Sequence, residues 1–141
     1  AGWWRAGPAT ALFLVFGIVM SVSGMSAQLA GALAALGGGY LLVLPAIAAL
    51  GGFMTGSNSG ANAMFAAPQA QAVTAIGADL LPAMAVHNVS AALFMMASPA
   101  RVELAVQLTR DRPRAAAVQR TVLLIDLAIL AVLTAMLLLH G

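Results

Sequence analysis

The sequence predicts an all-α, polytopic transmembrane protein with discontinuous or re-entrant helices, and three observations carry that reading. First, 62% of the 141 residues are hydrophobic, only 7% are charged, and the mean hydropathy is +1.00. A soluble domain carries roughly 25% charged residues and uses them to coat its surface. Second, no Asp, Glu, Lys or Arg occurs from Ala6 to Ala78. A spanning helix needs about 20 mostly apolar residues, so this run holds up to about three passes. Third, glycines and polar residues interrupt the apolar runs at defined places, above all between Gly51 and Asn62.

The elements follow in order. Trp3, Trp4 and Arg5 form an interfacial anchor, because indole rings settle at headgroup depth. Thr10–Val22 is a dense apolar segment that begins a span, and Ser21, Ser23, Gly24 and Ser26 then loosen the pattern. Gln28–Leu36 has helical propensity and is stopped by Gly37-Gly38-Gly39; it reads as a short surface or re-entrant helix, or as the completion of the first span. Tyr40–Met54 is a second apolar segment with Pro45 inside it. A half-helix is expected over Asn62–Ile76, interrupted at Pro68. After a break at Gly77-Ala78-Asp79, Leu80–Ala97 reads as a third long helix with Pro82 in its first turn, where proline is tolerated. Ser98-Pro99 has the form of a cap and first helical residue for a short amphipathic segment. Asp111-Arg112-Pro113-Arg114 is a turn, and Thr121–Leu139 is the last span. No internal repeat is evident.

Charge gives the orientation. The pI is 10.6 but the net charge is only +2, so the chain has no nucleic-acid signature. Five of the six arginines lie from Arg101 to Arg120. A short basic loop beside a span is the positive-inside signal, which places 101–120 in the cytoplasm. The absence of cysteine excludes disulfides and thiolate chemistry. No HExxH or CxxC motif is present, and Gly24-Met25-Ser26-Ala27-Gln28 has Gln28 where a nucleophile elbow needs glycine. The chain is therefore expected to be no enzyme, with no cofactor and no metal site; its methionines are packing or lipid-facing groups.

The stretch Gly51–Phe65, GGFMTGSNSGANAMF, is the most informative. Gly52, Gly56 and Gly60 form a small-xxx-small series that permits close helix packing in lipid. In one continuous helix those glycines share a stripe, but Thr55, Ser57, Asn58 and Ser59 would fan around the circumference. Unsatisfied polar groups in hydrocarbon cost several kcal/mol each. A broken helix across 51–62 removes the conflict: glycine permits the turn, and Ser59 or Asn62 caps the restarting helix. Such a helix start has unpaired N–H groups and an effective charge near +0.5, an anion site of the kind transporters place at the bilayer midplane.

Leu50–Gln71, LGGFMTGSNSGANAMFAAPQAQ, resembles the signature of the bacterial L-lactate permease family in Phe53, Thr55, Gly56, Ser57, Asn62, Phe65 and Gln69. Met96-Ala97-Ser98-Pro99-Ala100-Arg101-Val102 is similar to the family's second landmark. The resemblance covers nearly the whole chain. It implies proton symport of L-lactate and related 2-hydroxy monocarboxylates such as glycolate, in a bacterial inner membrane. It also implies that the 141 residues are the C-terminal part of a longer transporter, partnered by its N-terminal half or by identical subunits. The substrate-binding residues then expected are Thr55, Gly56, Ser57, Asn58, Ser59, Asn62 and Gln69.

Proton-coupling candidates come from ionisable groups inside apolar segments. His87, beside Asn88 in mid-helix, is the first, because imidazole changes charge near neutral pH; a neutral His bonded within the bundle is the plainer alternative. Asp79 reads as an N-cap as readily as a proton site. Asp126, in the last span, either carries protons or pairs with Arg120. Arg101 and Glu103 read as a solvated face, although Arg101 after Ser98-Pro99 is positioned to attract a carboxylate. Against transport stands a second class of function, a non-transporting membrane subunit or remnant packed through the Gly52/Gly56/Gly60 face.

Overall fold

The computed structural model describes residues 3–109 and 115–140. The anchor read for the Trp3, Trp4 and Arg5 side chains and the turn 111–114 lie outside the described residues. Among those described the fold is all-helical: α1 (Trp3–Val22), α2 (Met25–Ala34), a 3-10 turn (Gly37–Gly39), α3 (Tyr40–Thr55), α4 (Asn58–Ala75), α5 (Leu80–Phe94), α6 (Pro99–Thr109) and α7 (Ala115–His140).

Two of these helical stretches are long and apolar enough to cross a membrane alone, Gly37–Thr55 and Ala115–Leu139. Two bent pairs bring the number of spans to as many as four. Ala11–Val22 and Met25–Ala34 meet at 75°, and Leu80–Phe94 and Pro99–Ala105 at 46°. The first bend falls at Gly24, whose φ of 78° lies in the left-handed region that costs a side-chain-bearing residue about 1–2 kcal/mol. The outer faces of α1 and α7 are apolar and open, as at Leu12, Ile18, Leu124 and Val132; hydrocarbon is the medium in which such faces are stable.

The centre is a helical hairpin with α5 laid along it. Gly51 of α3 packs on Ala61 and Phe65 of α4, while Tyr40, Leu41 and Leu44 share a core with Ala72 and Val73; α3 and α4 are therefore antiparallel. Ala83 and Val86 join that core, and Gly52 abuts the Ala91 backbone, so α5 runs parallel to α3. Leu133 and Leu137 pack beside Pro82 and Val86, and Leu123 and Leu127 beside Phe94, which makes α7 antiparallel to α5. At the tip end of the hairpin Ala48, Ala61 and Ala91 form an all-alanine contact. Small side chains let backbones approach where no hydrophobic force drives association.

Several sequence expectations change. The half-helix does not begin at Asn62: α4 starts at Asn58 and its N-cap is Ser57, whose Oγ accepts from the Gly60 N–H at 3.1 Å. Capping by Ser59 or Asn62 is not found. Pro68 does not interrupt α4, because a fully buried proline held by its neighbours removes one helix hydrogen bond without ending the helix. The helix beginning at Leu80 stops at Phe94, and the last helix begins at Ala115, ahead of Thr121.

The Gly52/Gly56/Gly60 stripe does not exist as one face, because the helix ends between them. Gly52 meets Ala91, Gly56 forms the turn, and Gly60 meets the Phe13 ring. A Cβ at Gly52 would collide with the Ala91 carbonyl, whereas one at Gly31 meets nothing within 4 Å. Gly52→Ala is expected to destabilise the protein by about 1–3 kcal/mol, and Gly31→Ala to leave it unchanged or slightly stabler. Thermal unfolding in detergent compares the two; equal midpoints would contradict the close α3–α5 contact.

Candidate functional site

The hairpin turns in two residues. Gly56 adopts φ 59°, in the left-handed region, and its N–H donates to Gly52 O at 2.9 Å to close α3. Ser57 is extended and caps α4. Thr55 Oγ1 lies 2.8 Å from Gly51 O and 2.9 Å from Ser57 O, and accepts from the Ser57 N–H at 3.2 Å. The hydroxyls of Thr55 and Ser57 are thus engaged in shaping the turn. The N–H groups of Asn58 and Ser59 remain at the start of α4, beyond the reach of any carbonyl of that helix. Arg101 Nε donates to Gly56 O at 2.9 Å, and Arg101 N lies 3.3 Å from its own cap, Ser98 Oγ. The guanidinium therefore sits on the C-terminal end of α3, where the helix dipole is negative.

Deeper in the hairpin, α4 and α5 are joined by side chains. Asn62 Nδ2 donates to Asn88 Oδ1 at 2.9 Å and to Asn58 Oδ1 at 3.3 Å, and Asn58 Nδ2 donates to Asn88 Oδ1 at 3.0 Å. With both hydrogens of its amide nitrogen used, Asn62 turns its oxygen to His87 Nε2, 2.9 Å away. That oxygen only accepts, so Nε2 carries the imidazole hydrogen and Nδ1 holds the lone pair. Nδ1 is buried with no hydrogen-bond partner, in a residue that is 0% exposed.

α7 measures depth. Gln119 Nε2 donates to Ala97 O at 3.0 Å, so the first turns of α7 stand level with the end of α5 and, through Ser98 and Ala100 beside Gly56, with the hairpin turn. His87 lies about 10 Å inside the Phe94 end of α5 at roughly 1.5 Å per residue, at the middle of that helix. The turn is at one end of the bundle, and the amide–imidazole cluster runs inward from Asn58, the first residue of α4, to His87 at the middle of α5.

The predicted residues separate accordingly. Asn62 meets His87, and Asn58 joins the cluster through Asn62 and Asn88. Ser59 is exposed and makes no bond to the cluster. Gln69 shares the α4 face of Asn58 and Asn62 but lies about two turns beyond Asn62; it is 0% exposed, and neither amide atom has a partner. Asp79 is exposed and caps α5, accepting from Leu81 N at 3.0 Å, at the end opposite the hairpin turn. Asp126 is 4% exposed, and its Oδ2 has no partner. The pairing with Arg120 is not found: six residues apart on one helix, the two point roughly 120° apart, and Arg120 is exposed. Sequence reasoning left Asn88 outside the site, although it receives two of the cluster's hydrogen bonds; its position beside His87 in an apolar helix was the available signal. Arg101, read as a solvated face, proves to be tied to the turn. Among the described residues no group of three or more His, Cys, Asp or Glu side chains is placed to hold a metal.

Apolar helices of spanning length, bent pairs and a polar cluster reaching the middle of α5 define a multi-pass α-helical membrane protein. Comparison with known proteins makes this specific. A family model described as L-lactate permease matches residues 4–139, and the chain belongs to the L-lactate permease family, one of transporters rather than enzymes. The L-lactate permease of Escherichia coli strain K12 is 36% identical over 94 residues, 67% of this chain and 17% of that protein. That of Salmonella typhi is 34% identical over 94 residues, with the same shares covered. The matched region thus spans about a sixth of these relatives' length (17%). No solved structure matches.

Breaking the cluster gives a direct measurement. Interhelical side-chain hydrogen bonds in membranes are worth about 0.6 kcal/mol on average and up to about 1.7. A double-mutant cycle of Asn62→Ala and His87→Ala is expected to return a coupling in that range in unfolding free energy; additive effects would show that the contact contributes nothing.

Proposed function

We propose that this chain is the C-terminal part of a secondary transporter that carries L-lactate and related 2-hydroxy monocarboxylates such as glycolate, in symport with protons, across a bacterial inner membrane. The observation that carries the reading is the Asn58–Asn62–Asn88–His87 cluster, which runs from the hairpin turn to the middle of α5. Asn88 is exposed on this chain, and Asn58 partly so. Amides at that depth do not face hydrocarbon without a cost of several kcal/mol, so their open side is assigned to a substrate cavity closed by the rest of the transporter.

The chemistry suits a 2-hydroxy acid. Such a substrate presents a carboxylate that only accepts hydrogen bonds and a hydroxyl that both donates and accepts. Carboxamides offer N–H donors and C=O acceptors side by side. The start of α4 adds the Asn58 and Ser59 N–H groups and a partial positive charge, with Ser57, Gly56 and Thr55 holding it in place. Gln69 is a further donor on the same α4 face. A bare carboxylate is costly to move through a medium of low dielectric. A proton on His87 beside it makes the pair neutral, so substrate and proton cross together. Arg101–Arg120 faces the cytoplasm by the positive-inside rule.

In the full-length transporter, Asn62→Ala or Ser57→Ala is expected to reduce lactate-driven alkalinisation of the medium by about tenfold or more, a loss of about 1.4 kcal/mol in transition-state stabilisation. The amount of protein in the membrane, measured alongside, should be unchanged. Wild-type rates in both variants would remove the site assignment.

A further inference from the structure

We infer that Gln69 reads the 2-hydroxyl of the substrate and so sets the preference for 2-hydroxy monocarboxylates over analogues without that group; this rests on the transport reading above. Among the described residues Gln69 is the one buried carboxamide, at 0% exposure, and neither its Oε1 nor its Nε2 has a hydrogen-bond partner. A carboxamide offers two N–H donors and two acceptor lone pairs. Most buried polar groups are bonded, so an amide with both ends unmet calls for an explanation in function or solvent. An apolar side chain of similar length would fill the same space without the desolvation cost.

The place of Gln69 on α4 connects it to the cluster. Asn58, Asn62 and Gln69 follow one another at intervals of four and seven residues, which puts them on one helix face. Helical side chains lean toward the N-terminus of their helix, and on α4 that is the side of Asn62. Ala72 and Val73, one turn further on, belong to the apolar core with Leu44, Ala83 and Val86. Along α4, Gln69 thus stands between the amide cluster and that core. Its neighbour Pro68 lies inside the helix and has no N–H to give to the Met64 carbonyl. α4 therefore lacks a hydrogen bond just beside Gln69, at the kind of position where helices bend. A bend there is the motion that admits a ligand to an amide closed off in this conformation.

The chemistry separates the two ends of the substrate. Within the cluster the amide oxygens are engaged: Asn62 Oδ1 by His87 Nε2, Asn58 Oδ1 by Asn62, and Asn88 Oδ1 by both Asn58 and Asn62. Donors suit a carboxylate, which only accepts, and the amide nitrogens and the start of α4 supply them. A 2-hydroxyl also needs an acceptor for its hydrogen. Gln69 Oε1 is an acceptor with no donor in the protein, and Nε2 beside it donates back to the hydroxyl oxygen. A 2-oxo acid brings acceptors only, and an unsubstituted acid brings no polar group at that carbon. Either leaves Gln69 Oε1 buried and unbonded, which is how a hydrogen-bonding site rejects an analogue that lacks the group.

The test compares ligands rather than rates. In the purified full-length transporter, affinity is read from the concentration dependence of the ligand-induced rise in thermal unfolding midpoint, with L-lactate, pyruvate and propionate as probes. Wild-type protein should bind lactate about tenfold or more tighter than either analogue. Gln69→Met, which keeps the length and removes the amide, and Gln69→Leu should weaken lactate by about tenfold and leave the two analogues unchanged. Without ligand, both variants should unfold at or above the wild-type midpoint, because no internal hydrogen bond is lost. A wild-type preference for lactate in both variants would overturn the assignment. So would a lower ligand-free midpoint in Gln69→Met, which marks the amide as structural. Equal binding of all three acids by the wild type removes the hydroxyl reader and leaves the transport reading standing. If the wild type neither binds nor carries lactate, the transport reading fails first and the role of Gln69 falls with it.

Discussion

One hydrogen-bonded residue, Asn62, holds the centre of this structure together. Its amide nitrogen serves Asn58 on its own helix and Asn88 on α5, and its oxygen serves His87. Hydrocarbon offers a polar side chain nothing to bond, so amides at mid-span must satisfy one another or face a cavity. The geometry around Asn62 follows from that constraint. α4 must run antiparallel to α3 and lie against α5, and the small contacts at Ala48, Ala61 and Ala91 are what let the three backbones close to side-chain bonding distance.

The hairpin turn and the cluster adjoin at Asn58 but use their polar groups differently. At the turn, Gly56, Ser57 and Thr55 spend their polar groups on one another, and Arg101 pins the end of α3 from across the α5–α6 bend. That arrangement resembles a hinge held by one cation more than an open cradle. The cluster, by contrast, keeps unused capacity: an imidazole lone pair inside, and amides open on the outer side. A carrier needs both kinds of element, a rigid turn that fixes where a helix begins and a polar interior whose bonding can be exchanged. Three of the helix starts are closed by a side-chain cap, Ser57, Asp79 or Ser98, which limits the backbone left unpaired at those breaks.

Membership of the L-lactate permease family fits a chain of this architecture, and the matched region covers a sixth or so of the relatives' length (17%). The open polar side of Asn88 and the apolar outer faces of α1 and α7 are then surfaces of different character: the first calls for polar complement, the second for lipid or for other apolar helices.

Composition alone determined that the chain is helical and lies in a membrane, because an apolar run without charge has no other stable form there. Local chemistry marked most breaks as well: Gly77-Asp79 and Ser98-Pro99 were legible as caps, since a cap is set by residues within one turn of it. Where the sequence reading went astray, neighbours decided. Pro68 stays helical because surrounding helices bury it, and Ser57 rather than Ser59 or Asn62 starts α4 because Gly56 alone takes the left-handed turn. The pairing of Asn62 with His87 and the place of Asn88 in the cluster required the tertiary structure. Each joins residues far apart in the chain, and no periodicity within one helix records which turn of another it will meet.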